Sequence, residues 1–352
     1  MNCPLKMVSL VKIVRGDSQT KRLRRKYQPW VIALIVGFTA SFAVPLRAGA
    51  QTTPPTQFAS AKDALHALIS AAKAKDRSEL AKIFGSEYDR LLSGDQVEDD
   101  KDLADFAEAV QESAKLRKDN DAKYTVIVGK DNWPTPIPIV LKDSKWEFDA
   151  AAGLEEVLNR RIGENELAAI QTCRAYAVAQ WEYFTESDWD HDGVSEYAQH
   201  LISSPGKHDG LFWETAEDEK PSPLGSLIAA ARTEGYGPKE PAPGTAGKGG
   251  SEKEPSTTED RAPYYGYYVK ILTRQGLHAA GGKYNYIING NMIAGYAMVV
   301  YPEKWGNTGV MTFIVNQQGR VYQKNLGANT AKIAATMTEY DPDPTWKLVE
   351  QP

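Results

Sequence analysis

Residues 167–184 read Leu-Ala-Ala-Ile-Gln-Thr-Cys-Arg-Ala-Tyr-Ala-Val-Ala-Gln-Trp-Glu-Tyr-Phe. Leu167, Ile170, Ala177, Trp181 and Phe184 recur there at heptad spacing, with Arg174 in the one polar seam position. So regular a stripe predicts a long helix, begun near Leu154, whose apolar side is wrapped by a sheet, because one unbroken apolar face is not stable in water. The segments on either side of this helix then decide the fold class.

Ahead of it, Ser60 with Asp63 three residues on is a capping-box variant, and Leu65, Leu68, Ile69 and Ala72 follow at helical spacing. Leu80, Ile83 and Phe84 mark a second helix that stops at Gly85, and a third, begun near Asp99 or Asp100, aligns Leu103, Phe106, Val110 and Ala114. Strands are predicted at 124–128, 137–141 and 145–148, the middle one confined to an edge or a bulge by Pro134, Pro136 and Pro138. Behind the helix the chain is loop-rich, with a short helix at 223–232. Strands then follow at 264–273, 284–289, 292–301, 310–315 and 320–323, with Asn289-Gly290 and Gln318-Gly319 as hairpin turns. A helix at 330–337 and a strand at 346–349 close the chain. The fold class expected is α+β: N-terminal helices with a small antiparallel sheet, then a long helix packed on an antiparallel C-terminal sheet.

The first fifty residues are set apart by charge. They hold nine of the 41 Lys and Arg but one of the 46 Asp and Glu, so the remaining chain carries 32 basic against 45 acidic residues, a net −13. An acidic body of that size argues against duplex nucleic acid or anionic lipid as the main partner. Lys21-Arg22-Leu23-Arg24-Arg25-Lys26, an apolar run from Trp30 to Val44, and Ala48-Gly49-Ala50 form the pattern of a secretory signal cut before Gln51. The apolar run is shorter than the ~20 residues a spanning helix needs, which disfavours the alternative of a retained anchor. No later segment is apolar enough to span, so no stable membrane insertion is expected after signal removal. The division expected is a signal peptide at 1–50, a lead-in at 51–57, a small α+β domain at 58–150, and the long helix with its loop-rich region at 151–235. A low-complexity Gly/Pro insertion at 236–263 and an antiparallel β-rich domain at 264–352, packed on the long helix, complete it.

Several islands resemble a family of exported bacterial proteins known as domain of unknown function 2950. They are Pro136-Ile137-Pro138 with Trp146-Glu147-Phe148-Asp149, the run from Arg160 to Glu166, Ser204-Pro205-Gly206 with Asp209-Gly210-Leu211, and the run from Gly309 to Asn316. The resemblance covers the mature chain; it implies export and no established activity. More loosely, Asn165-Glu166, Arg174 and Tyr183, with Ala294-Gly295-Tyr296-Ala297, Pro302 and Thr308-Gly309, resemble the helix and strands of a pilin or pseudopilin head. Pilins begin with an apolar assembly helix, whereas here a whole α+β unit precedes the helix.

The strongest chemical signal is Asp188-Trp189-Asp190-His191-Asp192-Gly193. Three alternate carboxylates before a glycine can turn inward on one hard cation, with Glu196 as a further ligand, and calcium is the cofactor such a loop implies. The twelfth position is Gln199, so the loop is not an EF-hand, and an acidic solvated turn is the plainer alternative. His191, His200 and His208 match no zinc spacing and read as surface residues. Cys173, the one cysteine after the signal, reads as core. Glu155, Glu156, Glu164 and Glu166 read as facing water beside Arg160 and Arg161, or those arginines bridge the two units by pairing with acids of the first. Tyr264, Tyr265, Tyr267, Tyr268, Tyr284 and Tyr286 read as alternating core and covered faces, although tyrosine also serves as a binding anchor.

With no nucleophile–base pair legible, no catalytic residue is assigned. The function expected is an exported, soluble, non-enzymatic binding or structural module whose partner is an envelope protein or a small ligand. The alternative is an exported hydrolase, metal-assisted, with its site in residues 186–215.

Overall fold

The α-helix Ala61–Ala74 (α1) starts where Ser60 Oγ accepts from the Asp63 N–H at 3.1 Å, and Arg77–Phe84 (α2) is capped in the same way by Asp76. Tyr88–Leu91 (α3) and Gln96–Glu112 (α4) follow. The chain is seen in a computed structural model that describes residues 53–186, 193–216, 218–233, 236 and 263–350. The predicted signal peptide, most of the acidic loop and all but the edges of the low-complexity insertion lie outside the described residues.

Helix α4 begins earlier than its apolar spacing suggests, because Asp95 caps it through the Val97 and Glu98 N–H groups. It also ends earlier: Ala114, expected on its face, instead opens the strand Ala114–Asn120 (β1). That strand is polar, mostly exposed and at the sheet edge, which is why it reads as loop. The strands Lys123–Val128 (β2), Trp133–Pro134 (β3), Ile139–Lys142 (β4) and Lys145–Phe148 (β5) complete an antiparallel sheet of order β1-β2-β4-β5, with β3 on β2. The proline-bearing strand was expected at an edge or bulge, yet β4 lies between β2 and β5, because it starts only after Pro138. Leu68, Ile83, Val126, Ile139 and Phe148 are buried in the core of this half.

The long helix Ala150–Glu186 (α5) is present, but its buried seam is not the predicted one. Leu167 and Trp181 are 62% and 60% exposed, while Ala169, Cys173, Tyr176, Gln180 and Tyr183 are buried. The seam keeps the heptad period but sits one residue earlier, a turn of about 100° around the axis. Small Ala169 and Cys173 let the backbone come close, and each polar tip finds a partner. Tyr176 donates to Ala297 O at 3.2 Å, Gln180 to Ala198 O at 2.8 Å, and Tyr183 to His208 O at 2.7 Å.

After α5 come the parallel pair His200–Ile202 (β6) and Gly210–Phe212 (β7) and the helix Gly225–Thr233 (α6). Tyr267–Leu272 (β8), Arg274–Gln275 (β9), Tyr284–Asn285 (β10), Ile287–Ile288 (β11) and Asn291–Met292 (β12) lead to Ala297–Pro302 (β13), Met311–Asn316 (β14) and Tyr322–Asn325 (β15). Thr330–Thr336 (α7), Glu339–Tyr340 (β16) and Lys347–Leu348 (β17) end the chain. The main sheet is antiparallel, in the order β17-β15-β14-β13-β8. Every residue of β13 is buried, and α5 and α7 both pack against it. Asn289-Gly290 makes the expected two-residue hairpin turn, both at positive φ. The protein is thus α+β, with two hydrophobic cores within one unit of residues 51–352. Among the described residues no helix is long and apolar enough to cross a membrane.

Candidate functional site

The two cores meet along the N-terminal half of α5, and Arg161 is the centre of the contact. Its side chain is buried, donating to Leu91 O, to Leu92 O at 3.3 Å and to Asn307 Oδ1 at 2.9 Å. Leu91 ends the short helix α3, so the guanidinium satisfies carbonyls that a helix end leaves open. Asn307 in turn donates to Ser93 O at 2.8 Å, and Asn165, one turn along α5, donates to Thr308 O at 3.1 Å. Arg161 therefore does bridge the two halves, but through carbonyls and an amide; the acids of the first half form no ion pair with it. Arg160 keeps to the helix surface, paired with Glu156 at 2.8 Å. Glu166, expected to face water, accepts from the Val310 and Met311 N–H groups at 3.1 and 3.0 Å and so anchors the start of β14.

Beside this clasp lies a corner of unpartnered polar atoms. Asp95-x-x-Glu98 has the spacing of a capping box, in which the second acid accepts from the first residue's N–H. Here that N–H donates to Ser93 Oγ at 2.9 Å instead. Glu98, 7% exposed, is left with a buried Oε2 that finds no hydrogen-bond partner, and Arg161 Nε likewise has none, while the Tyr236 hydroxyl is turned to the Asp95 carboxylate. Burial, reinforced by Asp102 and only partly offset by Arg161 and Ser93, pushes the Glu98 carboxyl up to about 7. Asp102 is also raised, by burial and Glu164, but more than a third of its surface is open, so solvent screens that effect and Glu98 is the stronger perturbation.

Aromatic rings close the corner. Tyr236 is set at the end of α6 by its N–H to Ala231 O at 2.9 Å, and its hydroxyl is held far above the ordinary tyrosine value by burial, then by Asp95 and Glu98. Its ring meets Tyr264 at 5.2 Å and Tyr265 at 5.6 Å. Tyr265 and Gly266 form the tight turn before β8, both at positive φ, a conformation in which a tyrosine is strained. Gly266 is also required by closeness, since a Cβ there would lie 2.6 Å from Thr308 Cβ. The Lys101 ammonium fixes Tyr265 from α4, 3.1 Å from its hydroxyl and 5.2 Å above its ring.

On a neighbouring face of α5, along the three turns that lead up to Arg161, is an open hollow of about 360 Å³. Leu154, Leu158 and Ile162 of α5 and Val310 of the C-terminal half form an apolar floor, with Arg90, Glu155 and Asn159 at the rim. The hollow is shallow and open, and its volume is at the low end of the range of small-ligand sites. Sequence reading missed both the hollow and the corner; the one signal available was Asp95-x-x-Glu98.

The predicted loop region fares differently. Asp188, Asp190 and Asp192 lie outside the described residues. Glu196 is described: its Oε2 accepts from the Met292 N–H at 2.9 Å and from Gln199 at 3.4 Å. No group of three potential metal ligands occurs among the described residues. Ser204 and Asp209 are bonded to each other, Oγ to Oδ2 at 2.8 Å and N–H to Oδ1 at 2.7 Å, which locks a turn. His208 stacks on Trp213 at 4.4 Å, and Cys173 is buried, its thiol raised by burial. Of the tyrosines, Tyr267 and Tyr286 are core, as expected, whereas Tyr264 and Tyr265 belong to the junction.

A family model described as "Protein of unknown function (DUF2950)" matches residues 55–349, a span that takes in both cores and every residue of the junction. The chain belongs to this family. No curated protein and no solved structure matches this DUF2950 chain.

Proposed function

We propose that the protein is exported and works as a non-enzymatic binding module, taking a small ligand with an apolar body and a polar end into the hollow between the two cores. The observation that carries this reading is the lining of that hollow, an apolar floor contributed by α5 and the C-terminal half beneath a rim of Arg90, Glu155 and Asn159. Export is supported by the basic, apolar and Ala-Gly-Ala succession of the first fifty residues. The long helix lying on an antiparallel sheet supports relating the second half to a pilin head in arrangement. Ser204 and Asp209 add nothing to the alternative of a hydrolase in 186–215, since each is spent on the other in a turn. Calcium remains part of the proposal. A cation held by Asp188, Asp190 and Asp192 with Glu196 would tie that loop to the β11–β12 hairpin, which Glu196 already grips.

The test uses an amphipathic fluorophore, anilinonaphthalene sulfonate, with the native protein. Its emission should rise on mixing, and Leu158→Glu should remove the rise while leaving the melting temperature in place. A rise unchanged in Leu158→Glu would refute the hollow as the site. Mass analysis of the exported protein should find Gln51 as its first residue; recovery of the full-length chain only in membranes would refute export.

A further inference from the structure

We infer that a proton on Glu98 keeps the junction between the two cores closed, and that ionisation of Glu98 releases the Ser93–Asp95 loop and Tyr236 from it. The inference stands on the polar corner and not on any ligand in the hollow.

The corner joins two separate pieces of chain: the cap and first turn of α4 (Asp95 and Glu98) and Tyr236, three residues beyond the end of α6. All three side chains are more than nine-tenths buried; Glu98 Oε2 has no hydrogen-bond partner, and the Tyr236 hydroxyl is turned to the Asp95 carboxylate. A carboxyl buried beside other acids with no cation in contact is costly to ionise, and a proton on Glu98 relieves that cost. Protonated, Glu98 also becomes a donor in a corner otherwise rich in acceptors.

The charges around Glu98 are unequal. From its own helix it faces Asp95 and Asp102, with Asp99 and Lys101 nearby; from the loop, the Ser93 hydroxyl; from α5, Arg161, with Glu164 acting on Asp102; and from the end of α6, the neutral Tyr236 hydroxyl. Arg161, the cation among these that most favours the ionised form, is already committed to Leu91, Leu92 and Asn307. The Lys101 ammonium is turned to Tyr265, and that of Lys304 lies over Gly94. Ionised Glu98 is therefore left with the Ser93 hydroxyl but no contacting cation, and moving the Ser93–Asp95 loop outward is the route by which water reaches it. The carboxyl titrates near 7, so this happens within the ordinary range of an envelope or extracellular fluid.

Hydrogen exchange of the full chain reads the motion directly, because the amides of 93, 94, 97 and 98 are bonded within this loop and cap. With protection corrected for intrinsic exchange, peptides covering 92–99 should lose on the order of 30-fold protection between about pH 5.5 and about pH 8.5, as follows from a carboxyl moved from its ordinary 4.5 to about 7. Peptides from β13 and β14 should not change. Glu98→Gln should abolish the loss. Asp102→Asn, at an exposed position away from the cap, should move the midpoint to lower pH by removing a neighbouring negative charge, and serves if Glu98→Gln does not fold. Protection of 92–99 indifferent to pH, a loss that survives Glu98→Gln, or a midpoint unmoved by Asp102→Asn would each overturn the inference.

Discussion

Arg161 donates to Asn307 across 2.9 Å and 146 residues of chain. The same guanidinium reaches back to Leu91 and Leu92, so one side chain of α5 holds the end of a helix in the first half and the β13–β14 connection in the second. Asn307 closes the circuit by donating to Ser93 O, so loss of either residue orphans groups on both halves.

Arg161→Met should therefore cost about 3–5 kcal/mol, the range for removing one member of a buried charged network. Arg160→Met, which breaks only a surface pair with Glu156, should cost about 0.5 kcal/mol or less. Urea denaturation of the two variants checks this; equal losses would mean that burial of Arg161 does not matter.

The seam of α5 can be tested by contrast. Leu167→Ala should change stability by no more than about 0.5 kcal/mol, because Leu167 is 62% exposed. Tyr176→Ala should cost about 3–5 kcal/mol, since Tyr176 is fully buried and bonded to Ala297 O and Gln180. The reverse order would restore the heptad stripe as the buried face.

Glu98 makes a prediction about global stability with a definite sign. Its folded-state carboxyl lies above the unfolded value, so the stability it contributes is full below about pH 4.5 and is lost as pH rises through about 7. Glu98→Gln lacks this dependence. Relative to the native chain, the variant should gain about 2 kcal/mol in stability on going from about pH 5 to about pH 8.5, screening included. Melting curves at the two pH values decide it, and a constant difference between the chains would contradict it.

For the acidic loop, millimolar calcium should raise the melting temperature in proportion to the logarithm of its concentration once the site is filled. Asp190→Asn should remove most of that rise and leave the calcium-free protein at least as stable, since three close carboxylates repel one another. A rise that survives Asp190→Asn would place the effect elsewhere.

Local chemistry made much of the fold legible. The Ser60 cap, the Asn289-Gly290 turn and the strand at 145–148 rest on signals a few residues long, and the structure has them in place. The register of α5 was not legible, because Tyr176, Gln180 and Tyr183 look polar until the carbonyls that accept from them are known. Strand β1 was hidden by its charges, which suit an exposed edge. The junction was the least readable part. Ser93 and Asn307 are 214 residues apart, and Asp95-x-x-Glu98 reads as an ordinary cap until Ser93 takes the N–H that Glu98 would need.

The ring contact between Tyr236 and Tyr264, 5.2 Å between centroids, has a consequence for how this chain can vary. It brings together the two ends of the glycine- and proline-rich stretch, so a change of length between them leaves both ends where they are. For a flexible connection between fixed ends, each doubling of length costs only about 0.6 kcal/mol. Relatives should tolerate gain and loss of residues there far better than in any turn of either sheet, and an affinity tag or a reporter domain inserted between these two tyrosines should leave both cores intact.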